Sequence, residues 1–318
     1  MRVLVFGAGV IGSVYGGKLL QSGHEVVMLA RGGRLAELRD QGLILDDAEL
    51  GHRTVLPVRT ADSLAREDRY DLVLVPLRRD HLAAALPQLR AANDKATVLF
   101  FGNTAGLSHE LSAALGARAA FGFPAAGGIQ EGAVTRFVLI RQQRTMLGEL
   151  DGTTSSRIQR LRALFNEAGF SAAITRNMEG WLTAHAAFIV PIAFALYRVD
   201  GDPRRLAADH TSLQLMVRAT RQAFQALGTS GNAEIPSNLR ILYQWMPERF
   251  AIHYWQSLMA GPRGELWFAA HSRVASDEMY SLAVQLQHTM SAVGHPTPAL
   301  DTLLAGRVGP TSHHETDA

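Results

Sequence analysis

The stretch that most constrains this chain is its first thirty-one residues, MRVLVFGAGVIGSVYGGKLLQSGHEVVMLAR. Val3-Leu4-Val5-Phe6 is a short apolar run rich in β-branched and aromatic residues, the pattern of a strand buried on both faces. Gly7, Gly9 and Gly12 follow at G-x-G-x-x-G spacing, with Val10 and Ile11 opening a helical stretch that reaches about Gln21 and stops at Ser22-Gly23. A second apolar run, Val26 to Leu29, completes a strand–turn–helix–strand unit. A lone glycine fingerprint is a weak signal, but this one has the flanking strand and helix that give it meaning. Gly7 allows the tight turn, Gly9 lets backbone amides approach a pyrophosphate, and Gly12 lets the helix lie close to the sheet. The helix start adds free N–H groups and the positive end of its dipole.

The end of the second strand bears on the choice of dinucleotide. An acid there would hold a ribose 2′-hydroxyl. Here no acid lies between Met28 and Leu35, and the strand runs out into Arg31. A guanidinium suits a 2′-phosphate, with Arg34 in reach to assist. NADP is therefore expected in preference to NAD.

At 318 residues the chain is long enough for two domains. A composition of 47% hydrophobic and 19% charged residues excludes disorder, and 31 basic against 29 acidic groups leave no basic stripe for nucleic acid. Cysteine is absent, which removes disulfides and thiolate metal sites, and the 12 histidines form no H-x-x-x-H or H-E-x-x-H pair, so no metal site is expected. No signal peptide precedes the first strand, and the most apolar stretch, Ala186 to Leu196, is too short to span a bilayer. A cytoplasmic protein without membrane or nucleic-acid partners is the expectation.

Strands are predicted at 43–45, 54–58, 71–75, 97–101, 119–123, 137–140, 146–150 and 172–175, with helices at 33–40, 80–91, from 107, and at 154–168. Gly127-Gly128 reads as a turn. From Asn177 onward only helical spacing is found, over 178–198, 204–227, 237–259 and 274–293. The fold class is α/β: a Rossmann dinucleotide-binding domain over 1–175, an all-helical domain over 176–305, and a disordered tail over 306–318.

That pairing is similar to the 6-phosphogluconate-dehydrogenase-like oxidoreductases. Arg31, the segment D-L-V-L-V-P-L-R at 71–78, Asn103 after the next strand, L-G-E-L-D-G at 147–152 and G-H-P-T-P at 294–298 together resemble the ketopantoate reductase family across most of the chain. The resemblance implies NADPH-dependent reduction of a small carbonyl substrate and a homodimer through the helical domain. It places the cofactor on Gly7, Gly9, Val10, Ile11, Gly12, Arg31, Arg78 and Asn103, and the substrate on Arg78 and Glu278, with a family serine at Ser257. A helix beginning around Trp181 carries the family's acid, a lysine, and two asparagines. Those positions are Thr183, Ala187 and Val190 here. A threonine hydroxyl is too weak an acid to replace a lysine, so a substrate other than ketopantoate is expected.

The catalytic candidates are then His271, Glu278 and Asn103, with His271 or a relayed water as proton donor. His271 sits seven residues before Glu278, two turns along one face if a single helix joins them. His185 reads first as a core histidine. Arg263 and Glu265 could face a pocket floored by Trp267 and Phe268, or lie in an ordinary interhelical turn. A second reading stays open beside the enzyme: a non-catalytic protein of the same fold that senses NADPH or a metabolite.

Overall fold

The computed structural model describes residues 1–65, 67–91, 95–231 and 233–305; the tail expected to be disordered, 306–318, lies outside the described residues. The opening unit forms as its pattern dictates: β1 (Arg2–Phe6), α1 (Val10–Gln21) and β2 (Glu25–Leu29), with β1 and β2 parallel. The chain continues through α2 (Gly32–Gln41), β3 (Leu43–Asp47), β4 (His52–Leu56), β5 (Arg59–Ala61) and β6 (Leu72–Val75). Then come α3 (Leu82–Ala91), β7 (Thr97–Phe101), α4 (Ser108–Leu115), β8 (Ala119–Phe123), β9 (Ala126–Glu131), β10 (Val134–Leu139), β11 (Thr145–Gly148), α5 (Ser156–Glu167) and β12 (Ala172–Ile174).

Eight strands form one sheet in the order β12-β11-β8-β7-β6-β1-β2-β5. All its pairings are parallel except that of β8 with β11. The order reverses direction between β1 and β6, the switch point at which ligands bind beyond the strand ends of a doubly wound sheet. A second sheet, β4-β3-β10-β9, packs beside α1.

One sequence expectation fails here and another shifts. Gly127 and Gly128 are not a turn but lie within β9, paired with Val138 and Phe137 of β10. A Cβ at Gly127 would come within 2.7 Å of the Leu266 carbonyl oxygen, so the glycine is needed where the helical domain's backbone meets this strand. The strand expected over 54–58, ending near Pro57, lies two residues earlier as β4 (His52–Leu56), and β5 (Arg59–Ala61), not foreseen, follows it in the larger sheet.

The helical domain is built around α6 (Met178–Tyr197), whose buried residues include both faces over most of its length. By length and composition it is the one helix among the described residues apolar enough to cross a membrane, longer than the run visible in the sequence. It is 89% buried inside the protein, as a core helix is. Around it pack α7 (Pro203–Ala208), α8 (His210–Ser230), α9 (Ser237–Arg240), α10 (Glu248–Ala260), α11 (Pro262–Gly264), α12 (Ala270–Val274), α13 (Ser276–Val293) and α14 (Pro298–Ala305). Two π-helical turns interrupt this set, Ile241–Trp245 and Glu265–Ala269. The predicted helices over 204–227 and 237–259 are both broken, the first at Asp209 and the second at the π-helical turn that ends before Pro247. Asp209 caps α8 through Ser212 N–H, and Pro247 cannot continue a helix from Met246.

Candidate active site

The glycine turn is shaped for a close backbone approach. Gly7 has φ +125°, a conformation that side chains disfavour. A Cβ at Gly12 would lie 2.0 Å from the Gly7 carbonyl oxygen and 3.0 Å from Val5, so α1 can pack on β1 only through a glycine. At Gly9 a Cβ would meet nothing within 4 Å. Gly9 is also the N-cap of α1 and offers no side-chain oxygen to the first-turn amides. Space beside uncapped helix amides fits a dinucleotide pyrophosphate.

Arg31 is exposed at the end of β2, its guanidinium donating to Gln88 Oε1 at 3.2 Å. It is open to solvent. Arg34 is not. Its guanidinium turns inward and donates to the carbonyls of Ala8 and Ala133, to Ser13 Oγ and Thr135 Oγ1, and to Glu37. Those bonds tie α2 to the second sheet and leave Arg34 a structural clamp.

A cleft of about 770 Å³ runs from Val10 and Ile11, along Pro76, Leu77 and Arg78 after β6 and Gly102 and Asn103 after β7, into the helical domain at His271 and Glu278. Val10 and Ile11 at the start of α1 and every catalytic candidate thus open on one crevice at the carboxyl ends of the strands.

His271 and Glu278 do meet, though not as expected. Helix α12 ends at Ala275, whose backbone (φ −120°, ψ 34°) leaves the helical region, and α13 starts afresh at Ser276. The turn between the two helices folds His271 Nε2 to 3.2 Å from Glu278 Oε2. Glu278 is 2% exposed, in the first turn of α13, where the dipole favours an anion. Its Oε1 accepts the Arg79 backbone N–H at 3.1 Å. Oε2 is buried with no aligned hydrogen bond, so the contact with His271 is electrostatic in character. Burial pushes the Glu278 carboxyl up, but the His271 imidazole, the Arg79 amide and the Asn103 side chain together outweigh it and hold the group below its usual range.

The sequence reading missed Arg79. It is 8% exposed and stitches the domains together, donating through Nε to Ser281 Oγ at 2.9 Å and through Nη1 to the Ala105 carbonyl. Burial lowers its pKa, with Glu278, Glu179 and Glu110 opposing that shift. The neighbouring Arg78 lines the cleft, and its guanidinium donates to the Val274 carbonyl and to His81 Nε2, with Asp80 at 3.5 Å. Two adjacent arginines after a strand look alike in sequence; only the packing separates them.

The family positions counted from Trp181 do not face the cleft. Thr183 returns its hydroxyl to the Glu179 carbonyl at 2.8 Å, and Ala187 and Val190 are fully buried. At about 100° per residue, 183, 187 and 190 share one face of α6, while Trp181, His185, Phe188 and Ile189 share the opposite one. The second set lines the cleft. His185 is therefore a wall residue, not a plain core histidine. It stacks on Trp181 (ring centroids 5.5 Å, planes 7° apart) and touches Phe123 at 4.0 Å. Burial, followed by the nearby His271 charge and opposed by Glu278, pushes its pKa down to about 3, so the imidazole is neutral. Arg263 and Glu265 do not line the cleft, although Trp267 and Phe268 do. Arg263 lies over the Trp267 ring, and Glu265 pairs with Arg273. Ser257 is exposed on α10 and does not reach the cleft. No group of three or more acidic or histidine side chains suited to a metal is found among the described residues.

The doubly wound sheet, the glycine turn at its switch point and the helical domain across the crevice define a Rossmann-type architecture of two domains, a dinucleotide-binding sheet followed by a helical body. Residues 3–152, just under half of the chain, match the model of the ketopantoate reductase family PanE/ApbA. Two curated relatives are 2-dehydropantoate 2-reductases. That of Pyrococcus horikoshii is 26% identical over 186 residues, 57% of this chain and 58% of its own length. That of Pyrococcus abyssi is 24% identical over 191 residues, 58% and 60% of the two chains. The match thus spans under two thirds of either relative. Among solved structures, a 2-dehydropantoate 2-reductase from Geobacter metallireducens superimposes with TM-score 0.78 at 19% identity, covering 96% of this chain and 98% of the other. D-mandelate dehydrogenase in a ternary structure with NADH and anilino(oxo)acetate superimposes with TM-score 0.75 at 16% identity, covering 96% of both chains. At these identities the likeness establishes a shared fold.

Proposed function

We propose that this protein is an NADP(H)-dependent oxidoreductase that reduces a carbonyl group, of 2-oxo acid or ketone type, to an alcohol, on a substrate other than ketopantoate. The observation that carries this reading is the His271–Glu278 contact, set in the same crevice as an uncapped, glycine-lined helix start. The family that residues 3–152 match supports the reaction class. The open space at Gly9 and the exposed Arg31 at a strand end without an acid fit a 2′-phosphorylated dinucleotide.

In this reading, the amides at Val10, Ile11 and Gly12 hold the pyrophosphate and Arg31 the 2′-phosphate. When bound, NADPH supplies a hydride to the carbonyl carbon and leaves as NADP⁺. Asn103, just after β7, orients the reacting groups and adds the smallest of the contributions that favour ionised Glu278, after those of His271 and the Arg79 amide. His271, its side chain 40% exposed, gives a proton to the carbonyl oxygen and recovers one from solvent, while Glu278 holds the ring in place. Among the described residues no lysine lines the cleft, and Arg78 and Arg144 are its only permanent cations. The reaction on a small, strongly polar substrate thus loses its usual acid, and the site favours another carbonyl compound.

The test is to replace His271 by Ala and Glu278 by Gln separately. The proposed roles predict loss of turnover with NADPH affinity retained. Unchanged turnover in both variants would remove this assignment. NADPH binding without turnover on any carbonyl would favour the sensing protein.

A further inference from the structure

We propose that the cleft selects carbonyl compounds carrying an aryl group, with the ring against the aromatic wall formed by α6, α10 and the 265–269 turn. This inference rests on the reductase reading and names the substrate class of that same site.

The cleft is chemically two-sided. Four of its polar groups, Arg78, Asn103, His271 and Glu278, gather where the two domains meet, and Arg144 and Glu234 line it elsewhere. The wall beyond them is made of rings: Trp181, His185, Phe188, Trp255 and Phe268, with Phe123 facing them from the end of β8. These rings are organised among themselves. Phe188 packs against Trp255 at 5.9 Å and Phe268 at 6.1 Å, and Trp255 meets Phe268 at 5.5 Å. Each of the five wall rings is at most 9% exposed, so packing holds it in place, yet each contributes to the cleft surface. Held rings lose little freedom when a ligand arrives, which favours binding of a flat apolar group.

The wall carries no charge. Its one titratable member, His185, is neutral because burial disfavours the imidazolium. Its face therefore presents a π-surface in line with Trp181. The π-helical turn at 265–269 adds to the wall by bringing Leu266, Trp267 and Phe268 to the cleft in succession. Such wider turns recur where a helix must present side chains to a ligand. A small polar substrate would satisfy the rim groups and leave this wall in contact with water. An aryl group removes that apolar area from water and adds offset or edge contacts with fixed rings.

The experiment uses matched pairs with one reacting head and two bodies: pyruvate against phenylglyoxylate, and acetone against acetophenone. NADPH oxidation and calorimetric binding to the NADPH-saturated protein are both recorded. We expect the aryl member of at least one pair to exceed its methyl partner tenfold or more in kcat/KM, and to bind at least tenfold tighter. Equal or better performance by the methyl compounds would overturn the substrate class while leaving the reductase reading intact. Aryl-selective binding without turnover would do the reverse. A Phe123→Leu variant, at a half-buried ring, should cut the aryl-to-methyl ratio at least threefold. An unchanged ratio in a folded variant would overturn the placement of the ring on this wall.

Discussion

His271 and Glu278 stand 3.2 Å apart although they belong to different helices, with Ala275 as the hinge between them. Glu278 is thus both half of the proposed proton-handling pair and the acceptor that holds the Arg79 amide at the domain junction.

The double role predicts a graded mutational response. Glu278→Ala strands a buried N–H and should lower stability by about 1–3 kcal/mol, whereas Glu278→Gln keeps an acceptor and should lose less. The carboxyl is held below its ordinary value of 4.5, so folding gains from ionisation above that pH and loses the gain as pH falls through the depressed value. Denaturant midpoints between pH 6 and pH 3 (roughly the carboxylate range) should show a steeper acid loss in the wild type than in Glu278→Gln.

His185 gives a second pH signature at a higher pH. Its ordinary pKa of 6.5 falls to about 3 in the fold. The unfolded chain therefore takes up a proton first, and stability falls as pH drops below 6.5. By pH 5 the loss is about 2 kcal/mol, at 1.36 kcal/mol per pH unit. A His185→Phe variant, which keeps a ring on Trp181, should show a smaller difference in unfolding free energy between pH 7 and pH 5. An identical difference would mean that His185 titrates normally.

Two glycines of one motif should fail differently. Gly12→Ala pushes a methyl group into the Gly7 carbonyl and should impair folding itself. Gly9→Ala meets open space and has φ −72°, so it should melt like the wild type. It should nevertheless bind NADPH at least about tenfold more weakly, because the methyl group occupies the place of the pyrophosphate. Melting curves and NADPH fluorescence titrations separate the two outcomes.

At Arg31 the prediction concerns cofactor choice. A charge-assisted contact to a 2′-phosphate contributes roughly 1.5–3 kcal/mol, so Arg31→Ala should weaken NADPH binding by about 10- to 100-fold and leave NADH nearly unchanged. Equal effects on the two cofactors would place the phosphate elsewhere.

The first unit of the chain was legible because local rules set it: a buried strand, a glycine turn and a helix stop all fall within thirty residues. The cleft was legible only in part. Asn103, Arg78 and Glu278 were found through resemblance, and the structure brings all three to one crevice. Whether a single helix joins His271 to Glu278 was left open by the sequence, because nothing in Val274-Ala275-Ser276 announces the break that separates α12 from α13. The face of α6 was also beyond sequence reading. Its residues are apolar nearly all round, so no polar stripe marks which side borders the cleft. Arg79 was missed for a related reason, since burial of an arginine depends on acceptors such as Ala105 and Ser281, more than twenty residues away. Gly127 was misread as a turn because a glycine needed for close approach looks like one needed for a bend.

The most direct test of the reductase reading follows NADPH and NADH oxidation by the purified protein against a panel of 2-oxo acids and ketones that includes ketopantoate. We predict turnover with NADPH in preference to NADH on at least one panel member other than ketopantoate, abolished by His271→Ala. Failure to bind NADPH at all would contradict both the proposed activity and the cofactor site on which it rests.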